Sequence, residues 1–162
     1  MSDCCLLVAD EARARIFAVR GDNVTGYCLI EMNSLANPEA RLADRDLWSE
    51  TQPGGTASSR SGKLHSYDDH RERQRAEHER AFAKRAASVA VQACAEENAY
   101  ELLVVASKPM LGVLREALDD LCPSFLTRQD VAKNLTKLSS AEIVEHLLAD
   151  GLIGKQAGRL PA

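Results

Sequence analysis

Leu102-Leu103-Val104-Val105-Ala106-Ser107-Lys108-Pro109 is the stretch on which the fold turns. Its apolar, valine-containing run suits a strand buried on both faces, and the serine and proline that follow suit the first turn of a helix. Ser107 reads as the N-cap of that helix. Met110, Val113, Leu114, Ala117, Leu118 and Leu121 then recur at the spacing of one helical face, and Cys122-Pro123 ends it. A buried strand feeding an amphipathic helix is half of a parallel crossover, so the chain on either side must supply the other strands.

Upstream, His70 to Asn98 reads as one long helix. Phe82, Ala86, Val89, Ala90 and Ala93 give its second half a face to bury, while the first half is almost entirely charged and should project beyond the core. Downstream, Phe125 to Ala132 is a weaker strand, and Ser139 with Glu142 is a capping box for a last helix that carries Ile143, Val144, Leu147 and Leu148 on one face and stops at Gly151. At the front, Cys4 to Ala9 is a continuous apolar run ending in Asp10-Glu11. Two further strands follow, Ala14 to Val19 and Thr25 to Met32, joined by the turn Gly21-Asp22-Asn23. The expected order is βββ-α-β-α-β-α, an antiparallel meander followed by right-handed parallel crossovers. Connection rules leave few such sheets, and the expected class is a three-layer α/β fold with a ribonuclease H-like mixed sheet. Residues 1–151 form one domain on this reading, with a long mobile loop at about 33–69 and a tail at 152–162.

A chain of 162 residues and 17.7 kDa suits one domain, and a formal charge of -4 with a pI near 5.6 excludes a globally basic nucleic-acid binder while allowing a local basic patch. No stretch approaches the ~20 apolar residues that span a bilayer, so no membrane partner is expected. Met1-Ser2-Asp3 lacks the basic flank of a secretion signal, which points to the cytoplasm. Cysteines at 4, 5, 28, 94 and 122 form no CxxC pair and read as reduced thiols, mostly small core residues.

A metal nuclease needs clustered carboxylates. Asp10 stands at the end of the first strand, but only Asp130 is a candidate partner and Glu101 lies at the opposite strand end, so Asp10 reads as a turn residue bonded to neighbouring amides. His65, His70 and His78 miss the i, i+4 spacing of helical zinc ligands. No metal, no cofactor and no catalytic residue is assigned. Ser107 sits in Ala-Ser-Lys-Pro rather than Gly-x-Ser-x-Gly, so it is no nucleophile elbow. More informative is Gln52 to Gly62, whose largest apolar side chain is Ala57, followed by a run holding Arg60, Lys63, Arg71, Arg73, Arg75, Arg80, Lys84 and Arg85. Guanidinium groups suit bidentate contact with phosphate, as on an RNA backbone. Interleaved Asp68, Asp69, Glu72, Glu77 and Glu79 suit instead a helix paired with itself, for instance Arg75 with Glu79, or one that docks a protein partner or a second copy.

Leu7-Val8-Ala9-Asp10 with Ala12-Arg13-Ala14-Arg15-Ile16-Phe17, and Asn37-Pro38-Glu39-Ala40-Arg41-Leu42-Ala43-Asp44-Arg45-Asp46-Leu47, resemble the bacterial family of host attachment proteins. Leu111-Gly112-Val113-Leu114-Arg115 and Lys133-Asn134-Leu135-Thr136-Lys137-Leu138 extend the resemblance over nearly the whole chain, with Asn134 where the family usually carries Asp. That family is itself similar to the middle domain of archaeal and eukaryotic peptide-chain release factors, which holds a Gly-Gly-Gln loop between its third strand and a long helix. Gly54-Gly55-Thr56 occupies that place here. The resemblance implies a ribosome- or tRNA-associated factor, with Arg60, Lys63, Arg71, Arg73 and Arg75 toward RNA. Thr56 in place of Gln implies weak or no peptidyl-tRNA hydrolysis.

Overall fold

The computed structural model describes residues 3–38, 40 and 61–154, with side chains described from residue 69 onward in the helix that opens at Ser61. Among the described residues, five strands, β1 (Cys4–Ala9), β2 (Arg13–Asp22), β3 (Gly26–Ala36), β4 (Glu101–Ala106) and β5 (Thr127–Ala132), and three helices, α1 (Ser61–Glu97), α2 (Lys108–Leu121) and α3 (Ser140–Ala149), make a mixed α/β fold. The sheet order is β3-β2-β1-β4-β5, antiparallel from β3 to β1 and parallel from β1 to β5.

β1 is central because it has no polar face to offer solvent. Side-chain alternation sends Cys5, Leu7 and Ala9 to one face and Leu6 and Val8 to the other, all fully buried. On the first face α1 contributes Phe82, Ala83, Ala86, Ala87, Ala90 and Ala93, whose small size lets the helix approach the sheet closely. α2 joins the same face through Met110, Leu111, Leu114, Ala117 and Leu118. α3 covers the other face with Ile143, Val144 and Leu147.

Several sequence expectations shift. β3 runs on to Ala36 because β2 supplies a ladder up to Arg13, with a bulge opposite Ile16/Phe17 absorbing the break in alternation at Met32-Asn33. α1 begins at Ser61 rather than His70, since no proline between them stops a helix propagating backward once formed. The loop expected at 33–69 is therefore shorter at both ends, and its middle lies outside the described residues. On α2, Leu121 is exposed rather than inward, and Leu111, outside the expected face, is buried. Phe125 is also exposed, and β5 starts only at Thr127, where pairing with Glu101 begins. Leu152 and Ile153 fall within the expected tail, yet the Leu152 amide donates to Leu147 O and Ile153 packs into the α3 core. Residues 155–162 lie outside the described residues.

Helix ends are locally encoded. Asn98 closes α1 in the left-handed region, φ 57°, so that the Ala99 amide reaches Cys94 O at 2.8 Å. Ser139 and Glu142 form the reciprocal capping box of α3, and Gly151, φ 68°, follows its last turn.

Candidate functional site

The parallel strands β1, β4 and β5 all end on the same edge of the sheet, where Asp10, Ser107 and Lys133 follow them. Asp10 is 7% exposed. Its Oδ1 accepts the amides of Ala12 and Arg13 at 2.8 Å each, and its Oδ2 accepts the Thr136 hydroxyl at 2.6 Å. That carboxylate ties the β1–β2 turn to the segment after β5, as expected of a turn residue. Around it, Asn37 Nδ2 donates to Glu11 O at 3.0 Å, and Asn134 Oδ1 accepts from Thr136. Arg15 donates to Leu138 O at 2.7 Å and to Glu31. Each of these polar groups is engaged by another, so the cluster stiffens this end of the sheet.

Ser107 takes the N-cap position of α2 but its side chain makes no capping bond. Its hydroxyl instead donates to Glu11 Oε1 at 3.1 Å, a correction to the capping expectation. Asp130 lies level with Leu7 and Val104, below the strand ends, and is held by Arg115 at 3.0 Å and Arg128 at 3.2 Å. It therefore does not join Asp10. No group of three His, Cys, Asp or Glu side chains suited to a metal is present among the described residues.

The cysteines are free, with Cys5 and Cys94 buried, Cys4 and Cys122 half-buried and Cys28 exposed. Burial, then the Glu101 carboxylate, pushes the Cys4 thiol up to about 12, and hydrogen bonding to Cys5 together with burial raises Cys94 further. Neither thiol is a ready nucleophile near neutral pH.

α1 has 37 residues and is about 55 Å long. From residue 69 to residue 81 no side chain is buried, whereas Phe82 is 2% exposed, so packing stops within one turn. β3 ends on the same edge as the parallel strands, and α1 runs back from there over β1, β2 and β4. The part before Phe82 accordingly extends about 30 Å from the edge that carries Asp10. Arg73, Glu77, Arg80 and Lys84 share one exposed ridge at i, i+4, i+7 and i+11, and Arg75 and Arg85 are also exposed. Arg71 is half-buried and, like His78, has a bonding partner. No ion pair joins Arg75 and Glu79 among the described residues. Gly54, Gly55, Thr56 and Arg60 lie outside the described residues, as do the side chains of Lys63 and His65. Sequence reasoning missed the Thr136 to Asp10 bond, because 126 residues separate the partners and only strand packing joins them.

A family model described as "Protein required for attachment to host cells" matches residues 5–147. The chain belongs to this family. The match spans every strand and reaches into α3. No curated protein matches the chain. Among solved structures five chains match, one of them the Thermus thermophilus RuvC structure, with 12% identity over 97% of this chain and 84% of that one and a TM-score of 0.36. A likeness of that degree carries no argument about activity. No helix among the described residues is long and apolar enough to cross a membrane.

Proposed function

We propose that this member of the host-attachment family is a cytoplasmic RNA-binding factor of the translation machinery, directed to the ribosome or to tRNA through the arginines of α1. A ribonuclease H-like reading of the sheet and kinship with the release-factor middle domain belong to the same proposal, with Gly54-Gly55-Thr56 as the counterpart of the Gly-Gly-Gln loop. Peptidyl-tRNA hydrolysis is weak or absent on this reading. The attachment requirement named in the family description is then met indirectly, from inside the cell.

The observation that carries the reading is the stretch of α1 from residue 69 to residue 81, in which no side chain is buried and which holds Arg73, Arg75 and Arg80 out from the core. A helix that projects exposed guanidinium groups suits phosphate contact, since each can make paired, charge-assisted hydrogen bonds. Arg60, Lys63 and Arg71 belong to the same sequence cluster. The test is co-sedimentation with ribosomes across a salt series, comparing the native chain with Arg73→Ala/Arg75→Ala/Arg80→Ala. For every phosphate that an arginine neutralises, its replacement should reduce the slope of log K against log salt by about 0.7 to 0.9. Equal affinity and equal slope for the two chains would overturn the assignment.

Glu72, Glu77 and Glu79 on the same stretch favour a second reading, a protein-interaction or regulatory module that binds no RNA. Salt-insensitive recovery of one stoichiometric protein partner, with no RNA present, would select it.

A further inference from the structure

The two edges of the sheet differ in kind. β5 has six residues and is guarded by charge: Arg128 meets Asp119 at 3.0 Å and Asp130 at 3.2 Å, and Arg115 meets Asp130 at 3.0 Å. Charged, short edges of this kind discourage further strand pairing. β3 has eleven residues with no proline, lysine or arginine, and its one charged residue, Glu31, is neutralised within its own chain by Arg15 at 3.0 Å. Its outer backbone edge faces no other strand among the described residues. The bulge opposite Ile16/Phe17 leaves Gly26 to Glu31 in regular register with β2.

Apolar surface flanks this edge on both sides. Tyr27 and Leu29 pack toward α3, so alternation turns Cys28 and Ile30 to the α1 face, where Cys28 is exposed and Ile30 is 47% exposed. On the α3 side Leu148 is 44% exposed and approaches the same point beside Gly154 as the Tyr27 ring. Val24, at the tip of the β2–β3 hairpin, is 93% exposed.

We propose that β3 is the docking edge for a second copy of this chain, the two β3 strands pairing antiparallel about a twofold axis at Leu29 to continue the sheet through both subunits. The edge is self-complementary in this register. Cys28 of each copy faces Ile30 of the other on the α1 face, Leu29 meets Leu29 on the axis, and Tyr27 faces Glu31. No like charges meet, whereas an axis at Glu31 would set two carboxylates directly opposite. A twofold pairing of identical edges also closes on itself, leaving the charged β5 edges outermost where they block further growth. The edge carries no unpaired charge with which to select a charged partner of different sequence, because Arg15 already neutralises Glu31.

The test is sedimentation equilibrium of the full chain in reductant over a concentration series, for the native sequence, Ile30→Lys and Gln129→Lys. Gln129 is exposed on β5 and serves as a control for an added edge charge. The native chain and Gln129→Lys should dimerise alike, and Ile30→Lys should weaken the dimer at least tenfold with an unchanged far-ultraviolet spectrum. In a Cys28→Ser background, Leu29→Cys should form an interchain disulfide on mild oxidation. A native chain that stays monomeric throughout, a dimer indifferent to Ile30→Lys, or equal loss with Gln129→Lys would overturn the proposal.

Discussion

Replacing Thr136 by Val tests whether the Asp10 cluster holds the fold together as its geometry indicates. Valine keeps the shape of the side chain, which is 1% exposed, and removes only the hydroxyl that donates to Asp10 Oδ2 at 2.6 Å. That hydroxyl also lies 2.9 Å from Asn134 Oδ1, but one hydrogen serves one acceptor well and the closer, charged oxygen takes it. Asp10 then keeps its two amide donors and loses its third partner in a site with almost no access to water. A hydrogen bond to a charged group contributes about 1.5 to 3 kcal/mol, so the loss should be about 2 kcal/mol. For a domain of this size that lowers the thermal midpoint by about 4 to 8 °C. Urea and thermal unfolding followed by circular dichroism would measure it, with Asp10→Ala and the double variant completing a cycle. If the two groups act as one unit, the double variant loses about 1 to 2 kcal/mol less than the sum of the singles. Strict additivity, or a Thr136→Val effect under about 0.5 kcal/mol, would refute this account of Asp10.

Other variants probe other parts. Ser139→Ala removes the hydroxyl of the α3 capping box and should cost about 1 kcal/mol in urea unfolding; no change would mean the cap contributes nothing. Gly21→Ala forces a side chain onto φ 109° with its Cβ against Gly26 O, and should destabilise by about 2 kcal/mol or more, an idea that a neutral result would sink. Cys4 has an ordinary value of 9.0 when unfolded and about 12 when folded, so between those values the unfolded chain has lost a proton that the folded chain keeps. Stability should fall as pH rises across that window, and Cys4→Ala should flatten the fall. An identical alkaline profile for both chains would count against the burial of that thiol.

Much of the fold was legible in local pattern. The run Cys4 to Ala9 is apolar at every position and became the central strand, and the offset of three between Ser139 and Glu142 became a formed capping box. The stripe Phe82, Ala86, Ala90 and Ala93 faces the sheet as its spacing requires. Element ends were less legible. Asn33 and Ser34 read as the start of the loop, yet they pair with Ile16 and Arg15, because a neighbouring ladder can hold polar residues that have no β pattern of their own. Leu121 was expected to face inward, yet it is the last residue of α2 and is exposed, because a helix-face pattern does not show where packing stops.

The candidate site divides in the same way. Composition alone marked the arginine-rich run and the turn chemistry of Asp10, since both rest on residue types and short spacings. The loss of packing N-terminal to Phe82 follows from the strand length available beneath α1, and the diversion of Ser107 from cap to Glu11 follows from the parallel pairing that sets Ala9 beside Ala106. Local sequence determines which faces must be buried, because apolar periodicity acts over a few residues. Only the tertiary structure decides which polar groups meet and which edge is left open, because those contacts depend on the order in which distant strands lie side by side.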